Sequence, residues 1–220
     1  DGHGGMDTLD YSAYTDPVTV NLGTNSATGT GGVENIENIF GGSGADSLTG
    51  DGLDNVLRGN AGDDALDGAL GVDTLDGSNT SSNLSIDLRL ITPQITGRGS
   101  DTILNIENLT TGSGNDILTA SNADNTLNAG LGDDTYRFAD NTGSDTVIDP
   151  DGDDTIDFSL ATVGVTFDVA NSQISNAQSQ VAYTGSLIEH LLGSGGDDIF
   201  AFSGSAVHPG DIDGQGGSDR

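Results

Sequence analysis

Residues 41–76 read GGSGADSLT (41–49), GDGLDNVLR (50–58), GNAGDDALD (59–67) and GALGVDTLD (68–76), four nonapeptides joined without a gap. Leu48, Leu57, Leu66 and Leu75 recur at a spacing of nine, and Asp46, Asn55, Asp64 and Asp73 recur two residues ahead of them. A second array, residues 111–137, runs TGSGNDILT, ASNADNTLN and AGLGDDTYR, with Leu118, Leu127 and Tyr136 behind Asp116, Asn125 and Asp134. This period is a poor multiple of the helical repeat, and each unit spends several positions on Gly, Asn and Asp, so a helix would be broken in every repeat. What remains is a turn followed by a short strand whose middle residue, the recurring Leu, points inward. Each such strand pairs with those of the coils above and below it in a parallel sheet.

Composition agrees with a thin, repetitive core. Only 33% of the 220 residues are hydrophobic and 5% aromatic, too few for a thick globular interior. Acidic residues number 35 against 5 basic ones, a formal net charge of -30. Only Glu34, Glu37, Glu107 and Glu189 are glutamates, so the charge is nearly all aspartate, a short side chain that suits tight turns and offers a hard oxygen to calcium. With no Lys in the chain, nucleic acid and anionic membranes are excluded as partners, since both are held through basic clusters. The absence of Cys removes disulfides and thiolate metal sites. No apolar run is long enough to span a bilayer, and no signal peptide opens the chain. The chain begins and ends inside Gly/Asp turns, GHGGMD (2–7) and GQGGSD (214–219), and reads as a fragment of something longer.

The nonapeptides resemble G-G-x-G-x-D-x-U-x, with U a large apolar residue, the repeat of the RTX (repeats-in-toxin) family of calcium-binding secreted bacterial proteins. Residues 41–49 match it at every specified position. The resemblance implies an all-β fold, a right-handed parallel β-roll or β-helix (a solenoid) with calcium ions between stacked Gly/Asp turns. It also implies two nonapeptides per coil, so that turn 41–46 faces 59–64 and turn 50–55 faces 68–73. Carried onto this chain, Asp46 and Asp64 become side-chain ligands of one row, joined by carbonyl oxygens at Gly41, Ser43, Gly59 and Ala61. The other row takes Asp73 with Gly68 and Leu70, and is weaker because Asn55 carries no charge. Asp116 and Asp134 follow in the second array, again with an uncharged Asn125 opposite. Single matching turns place Asp7, Asp198 and Asp219 in the same role, and DPDGDD (149–154) is a looser copy that breaks the glycine pattern.

Between the arrays lie three related cassettes, at about 7–40, 77–110 and 150–192. DTLDYSAYTDPVTVNL (7–22) resembles DTIDFSLATVGVTFDV (154–169), with DTLDGSNTSSNLSIDL (73–88) a weaker copy. VENIENIF (33–40), LNIENLTT (104–111) and SLIEHLLG (186–193) supply a second strand before the next turn. Alternation at period two marks these as strands with one buried face. They read as wider coils of one continuous solenoid over residues 1–220. Similar cassettes occur in large RTX-type surface proteins and adhesins.

Turn chemistry alone explains an isolated Asp/Gly cluster. It does not require a fixed Asp two residues before a fixed Leu. Disorder is the other bland reading, and it describes the metal-free chain in part. Stacked carboxylates repel by roughly 1–4 kcal/mol per close pair. Calcium at about tenfold its dissociation constant contributes roughly 1.4 kcal/mol per site, or about 8 kcal/mol from five or six sites, comparable to a domain's stability of about 5–15 kcal/mol.

Catalysis is not expected. The chain has neither G-x-S-x-G nor H-E-x-x-H, and His3, His190 and His208 sit in unrelated contexts, with His190 in the place of Asn38 and Asn108. No pair of carboxylates stands apart from the calcium ladder as a glycosidase pair. Asp211-Ile212-Asp213-Gly214 fails as an EF-hand because Gly comes too early and no helices flank it. The sequons at Asn79, Asn83 and Asn108 matter only in a eukaryotic secretory pathway. The expectation is a monomeric, extracellular calcium-binding scaffold or adhesin-like rod that folds on meeting calcium outside the cell. The competing readings are a calcium-dependent module binding polysaccharide or a cell surface through Thr19 and Thr166, and the accessory region of an RTX toxin or hydrolase.

Overall fold

The computed structural model describes residues 1–184, 188–202 and 210–220; His208 lies outside them. Among the described residues there is no α-helix, only a short 3-10 turn at Leu22–Thr24, and nearly every element is a strand of two to six residues. The chain divides into two compact units, one of residues 1–79 and 90–110, the other of residues 80–89 and 111–220.

In the first unit the chain alternates between two parallel sheets. One orders Thr8–Asp10, Asn38–Phe40, Val56–Arg58, Thr74–Asp76 and Asn108–Thr110 side by side. The other orders Thr19–Asn21, Ser47–Thr49, Ala65–Asp67 and Thr102–Leu104. Leu48 therefore pairs with Leu66 and Leu57 with Leu75, two nonapeptides apart. Along most strands the middle residue is buried and its neighbours are half-buried, as the turn-plus-strand reading requires. The inward rows are Ile39, Leu57, Leu75 and Leu109 on one sheet and Val20, Leu48, Leu66 and Ile103 on the other, all buried.

The cassettes depart from uniform parallel coiling. Ser26–Ala27 folds back antiparallel on Thr19–Asn21, and Gln94–Ile95 on Ser100–Asp101. Here the Gly/Thr-rich bends are too long for a nonapeptide turn, and the excess chain pairs with itself as a local hairpin.

The second unit repeats the scheme. Ser85–Asp87, Ile117–Thr119, Thr135–Arg137 and Asp154–Asp157 lie parallel, followed by Ile188–Leu192 and Ile212–Asp213. In its other sheet Thr126–Asn128, Gly143–Ile148 and Ser179–Thr184 are parallel. An antiparallel meander then leads through Gln173–Ser175 to Thr166–Asp168, which pairs parallel with Ile199–Ala201. Four phenylalanines thicken this core: Phe138 stacks on Phe158 at 5.2 Å, Phe158 meets Phe167 edge-on at 5.8 Å, and Phe167 stacks on Phe200 at 4.6 Å.

Candidate metal centre

The stacked turns hold buried carboxylates in ladders. In the first unit the Val18 N–H donates to Asp46 Oδ1 at 2.9 Å, the Asp46 N–H to Asp64 Oδ1 at 2.8 Å, and the Asp64 N–H to Asp101 Oδ1 at 2.8 Å. A second ladder runs through the Asn55 N–H to Asp73 Oδ1 at 2.7 Å and the Asp73 N–H to Glu107 Oε2 at 2.9 Å. The second unit carries the longest one, in which the N–H groups of Leu84, Asp116, Asp134 and Asp154 donate in turn to Asp116, Asp134, Asp154 and Glu189 at 2.7–2.9 Å. Shorter runs link Val165 to Asp198 and Asp198 to Asp219. One carboxylate oxygen of each acid thus satisfies a main-chain donor that burial would otherwise orphan.

The second oxygen decides the chemistry. Among the described residues, Asp7, Asp73, Asp116, Asp134, Asp145 and Asp154 each bury an Oδ2 that accepts no hydrogen bond. Asp46 differs, since its Oδ2 accepts from the Gly42 N–H at 2.6 Å, and Asp198 Oδ2 likewise accepts from the Ser194 N–H at 2.8 Å. Burial pushes Asp64 and Asp134 up to about 7, Asp145 to about 7 and Asp73 to about 6, against the main-chain donors that lower them. An acid that buried and that short of donors is stabilised in its charged form only by a cation.

The glycines leave room for these acids. A Cβ on Gly41 would come within 2.4 Å of Asp46 Oδ2, and one on Gly59 within 2.4 Å of Asp64 Oδ2. Gly68 meets Asp73 Oδ2 in the same way at 2.6 Å, and Gly214 meets Asp219 Oδ2 at 2.2 Å. The first glycine of the repeat is therefore where the carboxylate swings past the main chain. Turn 41–46 does stack on 59–64, with the Ala61 N–H donating to the Gly42 carbonyl at 3.4 Å. Turn 50–55 stacks on 68–73, with the Leu70 N–H donating to the Asp51 carbonyl at 3.1 Å. The Gly41 carbonyl accepts from Asn60 Nδ2 at 2.6 Å, and the Ser43 N–H donates to the Tyr14 carbonyl at 2.9 Å.

Several ladder members escaped the sequence reading. Glu37, Glu107 and Glu189 of the N-I-E-like segments accept from the N–H groups of Asp7, Asp73 and Asp154 just as aspartates do elsewhere. The backbone explains the equivalence. Gly62 and Gly71, two residues before Asp64 and Asp73, have φ of +130° and +138°, and Asn35 and Asn105, two before Glu37 and Glu107, have φ of 52° and 51°. Asp101 and Asp145 complete similar turns, TGRGSD (96–101) and DNTGSD (140–145). For the glutamates the signal was present, a carboxylate two residues ahead of a buried Ile or Leu, but it was tied to Asp; Asp101 and Asp145 were passed over because their turns open on Thr96 and Asp140 where the repeat pattern has glycine. His190 stands where expected, opposite Thr155, with Nε2 2.9 Å from Asp153 Oδ1.

Hard oxygen donors, orphaned and lined up beside glycines that leave them space, fit calcium better than any softer metal. The family model described as RTX calcium-binding nonapeptide repeat (4 copies) matches residues 28–52, 40–75 and 105–136. Two of those matches begin ahead of the arrays and take in Glu37 and Glu107. No curated protein matches the chain.

Proposed function

The chain carries the calcium-binding nonapeptide repeats of the RTX family, and from that premise we propose that it is a structural calcium-binding region of a secreted protein, folding when it meets calcium outside the cell. The observation that supports this most directly is the set of buried Oδ2 atoms without hydrogen-bond partners. In calcium-free surroundings these carboxylates repel one another within a core too thin to offset the cost. Bound calcium neutralises them and links turn to turn, so binding free energy becomes folding free energy.

The role is that of a scaffold or adhesin-like rod rather than a catalyst. A chain whose acids oppose folding while calcium is scarce remains export-competent in the cytosol and folds after secretion, as a type I secretion route demands. Among the described residues no helix is long and apolar enough to cross a membrane.

Circular dichroism of the purified 220-residue chain in millimolar calcium and in EGTA tests the proposal. A β signal that appears with calcium and collapses on chelation is the expected result. A strand signal indifferent to chelation would overturn it.

A further inference from the structure

The turn at 149–154, DPDGDD, places an aspartate where the regular turns have their first glycine. It stacks on turn 129–134, since a Cβ on Gly152 would come within 2.0 Å of the Gly132 carbonyl oxygen and Leu131 bridges Asp151. A Cβ would collide with the carboxylate in the turns that open on Gly41, Gly59 and Gly68, whereas the second array opens its turns on Thr111, Ala120 and Ala129. Turn 149–154 carries a second carboxylate at this position.

Asp134, Asp149 and Asp154 each offer one oxygen within 4.8 Å of the others. The three residues are 1%, 3% and 0% exposed. Neither oxygen of Asp149 accepts a hydrogen bond, nor does Oδ2 of Asp134 or of Asp154. The Tyr136 hydroxyl beside Asp149 donates to the Ile148 carbonyl at 3.3 Å and accepts from the Ala129 N–H at 3.1 Å. One oxygen from each of three buried acids thus lies within reach of a single ion.

We infer that Asp134, Asp149 and Asp154 form a three-carboxylate calcium site in the second unit, different in ligand set from the turn sites of the nonapeptide arrays. Calcium fits the spacing, since ligand oxygens about 2.3–2.6 Å from one ion lie up to roughly 5 Å apart. Magnesium suits it poorly, because that ion holds on to several waters and this site is closed to solvent. Three carboxylates on one ion outdo a turn site that has a single carboxylate and main-chain carbonyls, so this is the tightest site of the second unit and the first to fill. The assignment rests on calcium being the ion of the proposed function, but not on the glycine turns.

Calorimetric calcium titration of the full chain tests it, comparing the parent with Asp149→Asn, which keeps the side-chain shape, and Asp149→Gly, which restores the regular turn. Terbium emission excited through tyrosine reports on the same site, with Tyr136→Phe as the control that loses emission but keeps binding. Both Asp149 variants should weaken the tightest ion by at least about tenfold, retain the remaining ions and lose most of the terbium signal. Equimolar magnesium should not displace calcium from the parent. Isotherms and emission unchanged in Asp149→Asn would mean that a shared proton, not a metal ion, neutralises the cluster, and the site would be refuted. Magnesium competing as an equal would refute the calcium assignment. A parent chain that binds no calcium would refute this site and the proposed function together, whereas a parent that binds calcium indifferently to Asp149 refutes the site alone.

Discussion

Asp46 donates its main-chain N–H to Oδ1 of Asp64, eighteen residues on, at 2.8 Å. The side chain that waits for calcium also holds the coil before it in place, and substitutions at Asp64 separate the two duties. Asp64→Asn keeps an acceptor and removes the ionisable group, so it should retain more β signal than the parent in EGTA and should gain less from calcium. Asp64→Ala leaves the Asp46 N–H orphaned and should lose about 1–3 kcal/mol in saturating calcium. Circular dichroism in EGTA and chemical denaturation in calcium measure the difference.

Acidity should act on the metal-free chain in an unusual direction. Burial raises Asp64, Asp134 and Asp145 to about 7 and Asp73 to about 6. Between the unfolded value of about 4 and these folded values the native chain binds more protons than the unfolded one, so stability falls as pH rises. In EGTA the residual β signal should therefore decline steadily from pH 5 to pH 8. Below about pH 4 the trend turns, because Asp76 and Asp87, held low by donors from Ser78 and Arg89 and by the Arg58 and Arg89 guanidinium groups, begin to protonate. With saturating calcium the ligated acids are ionised in the folded state as they are in the unfolded one, and the dependence above pH 5 should flatten.

Glycine positions should divide sharply. Gly59→Ala sets a Cβ 2.4 Å from Asp64 Oδ2, and a displaced carboxylate should cost about 1–3 kcal/mol together with calcium affinity. At Gly52 a Cβ meets nothing within 4 Å, and Gly52→Ala should change stability by no more than about 0.5 kcal/mol. Parallel calcium titrations and thermal melts of the two variants decide it.

The aromatic stack should matter more than any single leucine of the arrays. Phe158 is 1% exposed and touches both Phe138 and Phe167. Phe158→Ala should destabilise the folded, calcium-loaded chain by about 3–5 kcal/mol in urea unfolding.

The inward rows were legible because their signal is periodic. Leu48, Leu57, Leu66 and Leu75 state the inward positions outright, and the structure pairs them two repeats apart, as the resemblance to the RTX repeat implied. The hairpins at Ser26–Ala27 and Gln94–Ile95 were not legible, since their pairing depends on how much chain must be stored between coils rather than on any residue pattern. In the site, the stacking of turns could be read, but the division of labour within each carboxylate could not. Which oxygen caps a main-chain donor and which is left over depends on the offset between coils, a distance that spacing alone does not encode. Asp149 was hidden for the opposite reason, because a pattern defined by glycine treats its replacement as decay.

The carboxylate ladders all lean the same way, each acid accepting from the coil that precedes it. The main chain itself has no such bias, since the Ala65, Thr135 and Thr155 N–H groups donate back to the carbonyls of Asp46, Asp116 and Asp134 in the preceding coil. The asymmetry lies in the buried side chains alone. At a front face the ladder ends on a carboxylate oxygen, which water solvates readily. At a back face it ends on an amide hydrogen beside an apolar row, so an engineered array of these coils needs a side-chain acceptor supplied at its carboxyl-terminal face.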